Sequence, residues 1–150
     1  GTVRQNLLLA QPDADEADMW QALKTAELAA FVRSLPDGLD THLDEWGARL
    51  SGGEKQRLAL AQGVLRQGDL TIFDEPSANL DATTESKIFK NLMNLDRTML
   101  IITHRLVHLE NVDRIVVIDN GMIVEQGTEN ELLAANGLYA TFKRQQDDIR

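Results

Sequence analysis

Residues 50 to 54 read Leu-Ser-Gly-Gly-Glu and run directly into Lys55-Gln56-Arg57-Leu58-Ala59-Leu60-Ala61. A serine and two glycines opening an amphipathic helix leave backbone N–H groups unpaired at the positive end of the helix dipole. Such a helix start is a site for an anion, for example a terminal phosphate. A short apolar run beginning at Leu70 then ends in Asp74-Glu75-Pro76. Ligands of parallel α/β sheets gather at the carboxyl ends of strands, so the two features together point to a nucleotide-handling fold.

The chain contains no G-x-x-x-x-G-K-[ST] loop to cradle the phosphates of a nucleotide. It also opens at Gly1, so it is expected to be the C-terminal portion of a longer protein. With 43% hydrophobic and 26% charged residues, it has material for one ordinary globular core and is too patterned for disorder. Apolar stretches such as Leu7-Leu8-Leu9-Ala10 and Met99-Leu100-Ile101-Ile102 fall well short of the roughly 18 residues that a membrane helix needs. The absence of cysteine excludes disulfides and thiolate metal sites. A net charge of −9 argues against a nucleic-acid partner.

Hydrophobic periodicity divides the chain. Residues 1–10 read as a turn and an apolar segment, and Asp13 with Glu16 has capping-box spacing for a helix over about 14–26. A second helix is expected over 28–34, stopped by Pro36-Asp37-Gly38. Residues 39–50 read as irregular, and Ser51 is expected to cap a helix reaching about residue 67, with Leu58, Ala61, Val64 and Leu65 inward. Beyond that point strands alternate with helices, as in a parallel sheet with crossover connections. Residues 70–73 and 99–103 are nearly continuous apolar runs, expected to be central strands covered on both faces. A helix over 82–95, with Ile88, Phe89 and Leu92 inward, connects them. Residues 114–118 and 122–125, joined by Asp119-Asn120-Gly121, predict a hairpin with a type I′ turn. One helical tail is expected from 130 through 144. The fold class is therefore α/β.

Asp74, where the apolar run ends, is placed to hold Mg²⁺ through water while the metal bridges phosphate oxygens. Glu75 beside it is placed to polarise an attacking water. Four apolar residues before Asp-Glu are weak alone; the upstream Ser-Gly-Gly helix supplies the context. His104 follows the next apolar run, at the same edge of the expected sheet, where a neutral imidazole can donate to a γ-phosphate. His42 and His108 lack that setting and are assigned to the surface, and Trp20 to the core.

Taken in order and spacing, Leu50-Ser-Gly-Gly-Glu54, Leu70-Thr-Ile-Phe-Asp-Glu75, Ser77-Ala-Asn-Leu-Asp81 and Ile102-Thr-His104 resemble the signature, Walker B, D-loop and H-loop of ATP-binding cassette proteins. The resemblance implies the C-terminal part of a P-loop ATPase domain, with a helical signature subdomain over 1–67 and core strands, hairpin and helices over 68–150. It implies ATP and Mg²⁺ as cofactors and a head-to-tail dimer with a second such domain, identical or different. In that arrangement Ser51 and the amides of Gly52 and Gly53 grip the γ-phosphate of an ATP held by the partner. Asp74 serves the metal and Glu75 the catalytic water of the chain's own site, His104 contacts the γ-phosphate there, and Asp81 crosses the interface. Glu54 stands where glutamine is frequent, outside the Ser-Gly-Gly core.

Gly1-Thr-Val-Arg-Gln-Asn6 looks like the segment just past the Q-loop of exporter ATPases. Leu43-Asp-Glu45-Trp-Gly47 resembles the segment through which exporter ATPases touch their transmembrane domains, with Asp44 where glycine is usual. The hairpin sequence also looks like an exporter, placing the chain on the cytoplasmic face of the cell membrane. Asn6-Leu-Leu-Leu-Ala10, Thr103-His-Arg-Leu106 and Leu109-Glu110 are most similar to subunits of the heterodimeric cysteine and glutathione exporter of cytochrome bd assembly. A soluble cassette ATPase of the DNA-repair or translation type is disfavoured by these exporter-like segments and by the acidic charge. A non-catalytic module is disfavoured by the retention of Asp74 and Glu75.

Overall fold

The computed structural model describes residues 1–43 and 49–148, which form two compact units, Gly1–Thr103 and His104–Arg150. The first unit opens with α1 (Val3–Ala10), α2 (Glu16–Thr25), α3 (Ala29–Ser34) and a single 3₁₀ turn (Gly38–Asp40). It continues with α4 (Gly52–Leu65), β1 (Leu70–Asp74), α5 (Ala82–Met93) and β2 (Thr98–Ile102). The second unit holds β3 (Ile115–Asp119), β4 (Met122–Gly127), α6 (Glu129–Ala135) and α7 (Leu138–Asp148).

The opening segment is helical, contrary to the expected turn. Thr2 caps α1 by accepting from the Gln5 amide, while the Gln5 side chain accepts from the Thr2 amide. This glutamine version of the capping box offsets the orphan donors of a short helix. Burial of Val3 and Leu7 fixes α1 to the core. The next helix begins later than Asp13 suggested, because Asp15 is its cap and exchanges hydrogen bonds with Asp18. Trp20 is half-buried rather than fully inside. Its indole N–H donates to Glu16 at 3.3 Å, and the Arg33 guanidinium lies 4.9 Å from its ring centre.

The core of the first unit gathers on α4, whose Leu58, Leu60, Ala61, Val64 and Leu65 are all buried. They join Leu7 of α1, Leu23 of α2, Phe73 of β1 and Ile88 and Leu92 of α5 in one cluster. Polar side chains lock the same helix to its neighbours. Gln62 donates to the Asn6 carbonyl at 2.7 Å, and Arg97, just before β2, donates to the Val64 carbonyl at 2.8 Å.

β1 and β2 pair in parallel, from Leu70 opposite Thr98 to Asp74 opposite Ile102. α5 makes the connection between them, as the alternating pattern required. Coverage differs from expectation. Phe73 is buried on one face, whereas Leu70, Ile72, Leu100 and Ile102 keep 53, 58, 49 and 48% of their surface exposed. An apolar run alone does not report whether one or both faces are packed.

In the second unit, β3 and β4 pair antiparallel with a register shift between Val117 and Ile118. Asn120 and Gly121 both have positive φ, 49° and 76°, as a type I′ turn requires. The expected single tail helix is two. Asn136, left-handed at φ 53°, ends α6, and Gly137 precedes α7. The Glu125 carboxylate accepts from the Leu138 and Tyr139 amides at 3.0 and 2.8 Å, capping the start of α7 from β4.

Gly63 has a steric role in α4. A Cβ there would come within 2.6 Å of Cε1 of the buried Phe73 ring. In an open helix Gly→Ala stabilises by about 1 kcal/mol, but overpacking a filled contact costs about 1–3 kcal/mol. Gly63→Ala is expected to lower the thermal unfolding midpoint, and the same change in a Phe73→Leu background to leave it unchanged or raise it. A higher midpoint for Gly63→Ala alone would show that the contact yields.

Candidate nucleotide-binding site

Ser51 is the N-cap of α4 and forms a complete capping box with Glu54. Its hydroxyl accepts from the Glu54 amide at 3.3 Å, and Glu54 Oε2 accepts from the Ser51 amide at 2.7 Å. A carboxylate and a carboxamide both close such a box, which explains why Glu54 fits there. Ser51 is exposed and its hydroxyl retains a proton to donate. Gly52, also exposed, has nothing within 4 Å of where a Cβ would stand. The Gly52 and Gly53 amides lie in the first turn, where helical N–H groups have no intrahelical acceptor. The result is an open, positively polarised helix start.

Gly53 faces inward on the same turn. A Cβ on it would touch Leu80 Cδ2 at 3.4 Å and the Asn79 carbonyl oxygen at 3.5 Å. The segment between Glu75 and Asp81 therefore packs directly against the start of α4. It folds back through Ala78 N–H to Glu75 C=O at 3.1 Å and Leu80 N–H to Ser77 C=O at 3.3 Å, with Asn79 left-handed at φ 61°.

Asp74 ends β1 opposite Ile102 and is exposed. Mg²⁺ in nucleotide sites is commonly held by one or two carboxylates together with phosphate oxygens and water. The described residues contain no cluster of three or more His, Cys, Asp or Glu side chains able to hold a metal, and a single open carboxylate at a strand end fits the sparse mode. Glu75 has φ 49°, in the left-handed region that a glutamate enters only under constraint. Its amide donates to the Ile102 carbonyl at 2.8 Å, and its carbonyl accepts from Gln56 Nε2 at 2.9 Å. Strain of this kind costs on the order of 1–3 kcal/mol and persists only where the surroundings over-determine it. Here the β2 backbone, the turn at Ala78 and a side chain from α4 supply that constraint.

Asp81 caps α5, accepting from the Thr84 amide at 2.9 Å and the Thr84 hydroxyl at 2.6 Å. Those hydrogen bonds, the hydroxyl's first, hold its carboxyl below the usual aspartate range. Thus Ser51, Gly52, Gly53, Asp74, Glu75 and Asp81 all lie in the first unit, joined through Gly53 and Gln56. His104 opens the second unit, with its side chain exposed. Asp44, Glu45, Trp46 and Gly47, the expected contact with transmembrane domains, lie outside the described residues. His42 is exposed, whereas His108 is half-buried in a left-handed turn at φ 59°.

Sequence reasoning missed Gln56 and the bracing of α4 by Arg57. Arg57 donates to the Glu27 carbonyl at 2.9 Å and to the Gly53 carbonyl at 3.3 Å. Glu27 is itself left-handed at φ 55°, and its carboxylate accepts from Asn91 of α5 at 2.9 Å. The positions of Gln56 and Arg57 immediately after the glycines were the available signal; their backbone acceptors were not legible.

The helix start, strand-end carboxylates and capped turn define an α/β fold of the ATP-binding cassette type. The chain matches the ABC transporter family over residues 1–78, and it belongs to that family. It is similar to the uncharacterized ABC transporter ATP-binding protein YwjA of Bacillus subtilis (strain 168), with 45% identity over 148 residues, 97% of this chain and 26% of that protein. It is also similar to a putative multidrug export ATP-binding/permease protein of Staphylococcus aureus (strain NCTC 8325 / PS 47), with 44% identity over 140 residues, 92% of this chain and 24% of that one. Among solved structures it resembles a bacterial Atm1-family ABC exporter with ATP bound, at a TM-score of 0.85 and 37% identity, over 97% of this chain and 26% of that chain. The chain therefore spans about a quarter of these relatives. Among the described residues no helix is long and apolar enough to cross a membrane.

Asp81 has two separable properties, a cap and a charge. Asn caps as well as Asp does, so Asp81→Asn is expected to preserve amide-exchange protection at Thr84 while Asp81→Ala loses it. Equal loss of protection in both variants would show that the charge itself holds the turn.

Proposed function

We propose that the chain is part of the ATP-hydrolysing domain of an ABC exporter, acting at the cytoplasmic face of a membrane. The observation that carries this reading is the constrained left-handed Glu75, tied through Gln56 to the helix that presents Ser51, Gly52 and Gly53. A glutamate on strained backbone at a strand end, beside an open helix start, fits water attack on a phosphate better than packing.

In this reading Glu75 orients the attacking water and accepts its proton, and His104 donates to the γ-phosphate in the same site. Asp74 would hold Mg²⁺, which when bound would supply charge neutralisation at the phosphates. Ser51 and the Gly52 and Gly53 amides receive the γ-phosphate of ATP held by a second ATPase domain in a head-to-tail dimer, while Asp81 reaches across that interface. Closure and reopening of the pair then drive transmembrane domains contacted around Glu45. The functional division falls at residues 1–67 and 68–150. The putative multidrug export relative and the ATP-bound exporter structure support an exporter over a soluble cassette ATPase. Cysteine or glutathione is the proposed cargo, resting on the likeness of residues 6–10 and 103–106 to thiol exporters. Uptake of labelled thiols by inverted vesicles tests it, and transport of other compounds alone would sink it.

Two outcomes test the ATPase assignment. In the full-length protein, Glu75→Gln is expected to keep ATP-driven dimer closure and to slow hydrolysis by orders of magnitude; wild-type turnover would remove Glu75 from this role. The isolated 150-residue chain is expected to hydrolyse ATP negligibly, because it carries no phosphate-cradling loop or lysine for the β- and γ-phosphates. Sustained turnover by the purified chain would contradict the shared-site reading.

A further inference from the structure

The segment carrying His104 belongs to no helix or strand from Thr103 to Val107. A catalytic group on irregular backbone needs an external brace, since misplacement by about 1 Å can cost a hundredfold in rate. The brace comes from α7. Gln146 Nε2 donates to the His104 carbonyl at 2.7 Å, and Gln146 Oε1 accepts from the Leu106 amide at 2.9 Å. The carbonyl of one residue and the N–H two residues later point to the same side of an extended chain. A carboxamide that meets both acts as a one-residue stand-in for a neighbouring strand.

A second tie fixes α7 itself. Lys143 Nζ donates to the Leu106 carbonyl at 2.6 Å and to Glu129 Oε1 at 2.9 Å, while the Tyr139 hydroxyl donates to the same oxygen at 2.8 Å. Glu129 and Tyr139 are buried. Burial, the largest influence on Glu129, pushes its carboxyl up, but Lys143 and Tyr139 together hold it below the usual glutamate range. The pair is thus charged and anchored on α6, one turn of α7 before Gln146.

We propose that Gln146 is a positioning residue for ATP hydrolysis: its side chain, carried on α7 and steadied by the Lys143–Glu129 pair, clamps the backbone on both sides of Arg105 and so aims His104. The proposal rests on the assignment of His104 to the γ-phosphate. The clamp acts on the placement of His104, one of several groups assigned to the γ-phosphate, so it predicts a fall in kcat with KM little changed.

The test uses the full-length protein with its phosphate loop, comparing Gln146→Ala, Gln146→Glu, His104→Ala and the double variant Gln146→Ala/His104→Ala. Alanine and glutamate are both good helix formers, so α7 persists in each. Expected are a fall in kcat of about tenfold in both Gln146 variants, KM for ATP within about twofold, and faster amide exchange at Leu106 in Gln146→Ala. Glutamate keeps the acceptor for Leu106 but sets an anion against the His104 carbonyl, so it is expected not to rescue. His104→Ala is expected to lower kcat further, and the double variant to match it. Unchanged kcat in Gln146→Ala overturns the clamp while leaving the role of His104 standing. A Gln146→Ala loss that multiplies fully with that of His104→Ala also overturns it, by showing that Gln146 acts elsewhere. Wild-type kcat in His104→Ala removes His104 from the site, and the clamp with it.

Discussion

The first unit depends on one helix being held at both ends and along its length. The apolar face of α4 is the meeting surface for α1, α2 and β1, and burying five of its side chains supplies the non-directional part of the attachment. Direction comes from its polar groups. Arg57, Gln56 and Gln62 each reach a backbone carbonyl on a different segment, at Glu27, Glu75 and Asn6. Buried carbonyls need partners, so these bonds allow the helix little freedom to slide or rotate. Its N-terminus, which presents Ser51, Gly52 and Gly53, inherits that rigidity.

The same helix sustains the strain in the strand-to-turn segment that follows β1. Glu75 leaves the strand in a left-handed conformation and Asn79 adopts another four residues on. Between them the chain reverses and lays Leu80 against Gly53. A Cβ on Gly53 would stand at van der Waals contact with the Leu80 methyl and the Asn79 carbonyl, so helix start and turn lie directly against each other. The two glycines have unlike surroundings: the space beside Gly52 is open, and Gly53 faces the turn at Asn79 and Leu80.

How legible each element was in the sequence follows from the range of the forces that form it. The α4 start and the Asp119-Asn120-Gly121 hairpin were readable because each depends on residues within about four positions; the Asp81 cap, equally local, was not read. The α1 helix was missed although Thr2 and Gln5 have capping-box spacing, because its apolar run is short. The tail looked continuous because the apolar positions of α6 and α7 run across the break; Asn136 was the signal for a left-handed stop. Exposure along β1 and β2 was not readable, since a strand suited to burial on both faces looks the same when one face is open.

By itself the sequence determined which residues are candidates for the chemistry. Ser51, Gly52, Gly53, Asp74, Glu75, Asp81 and His104 stand out by residue type and spacing, and short-range hydrogen bonding places Ser51 and Asp81 at helix starts. Only the tertiary structure decided how those residues are held. The Gln56 bond to Glu75 spans 19 positions and the Gln146 bond to His104 spans 42. Neither follows any helical or strand period, because a side chain that bonds a distant carbonyl is selected by where the packed core brings the two together.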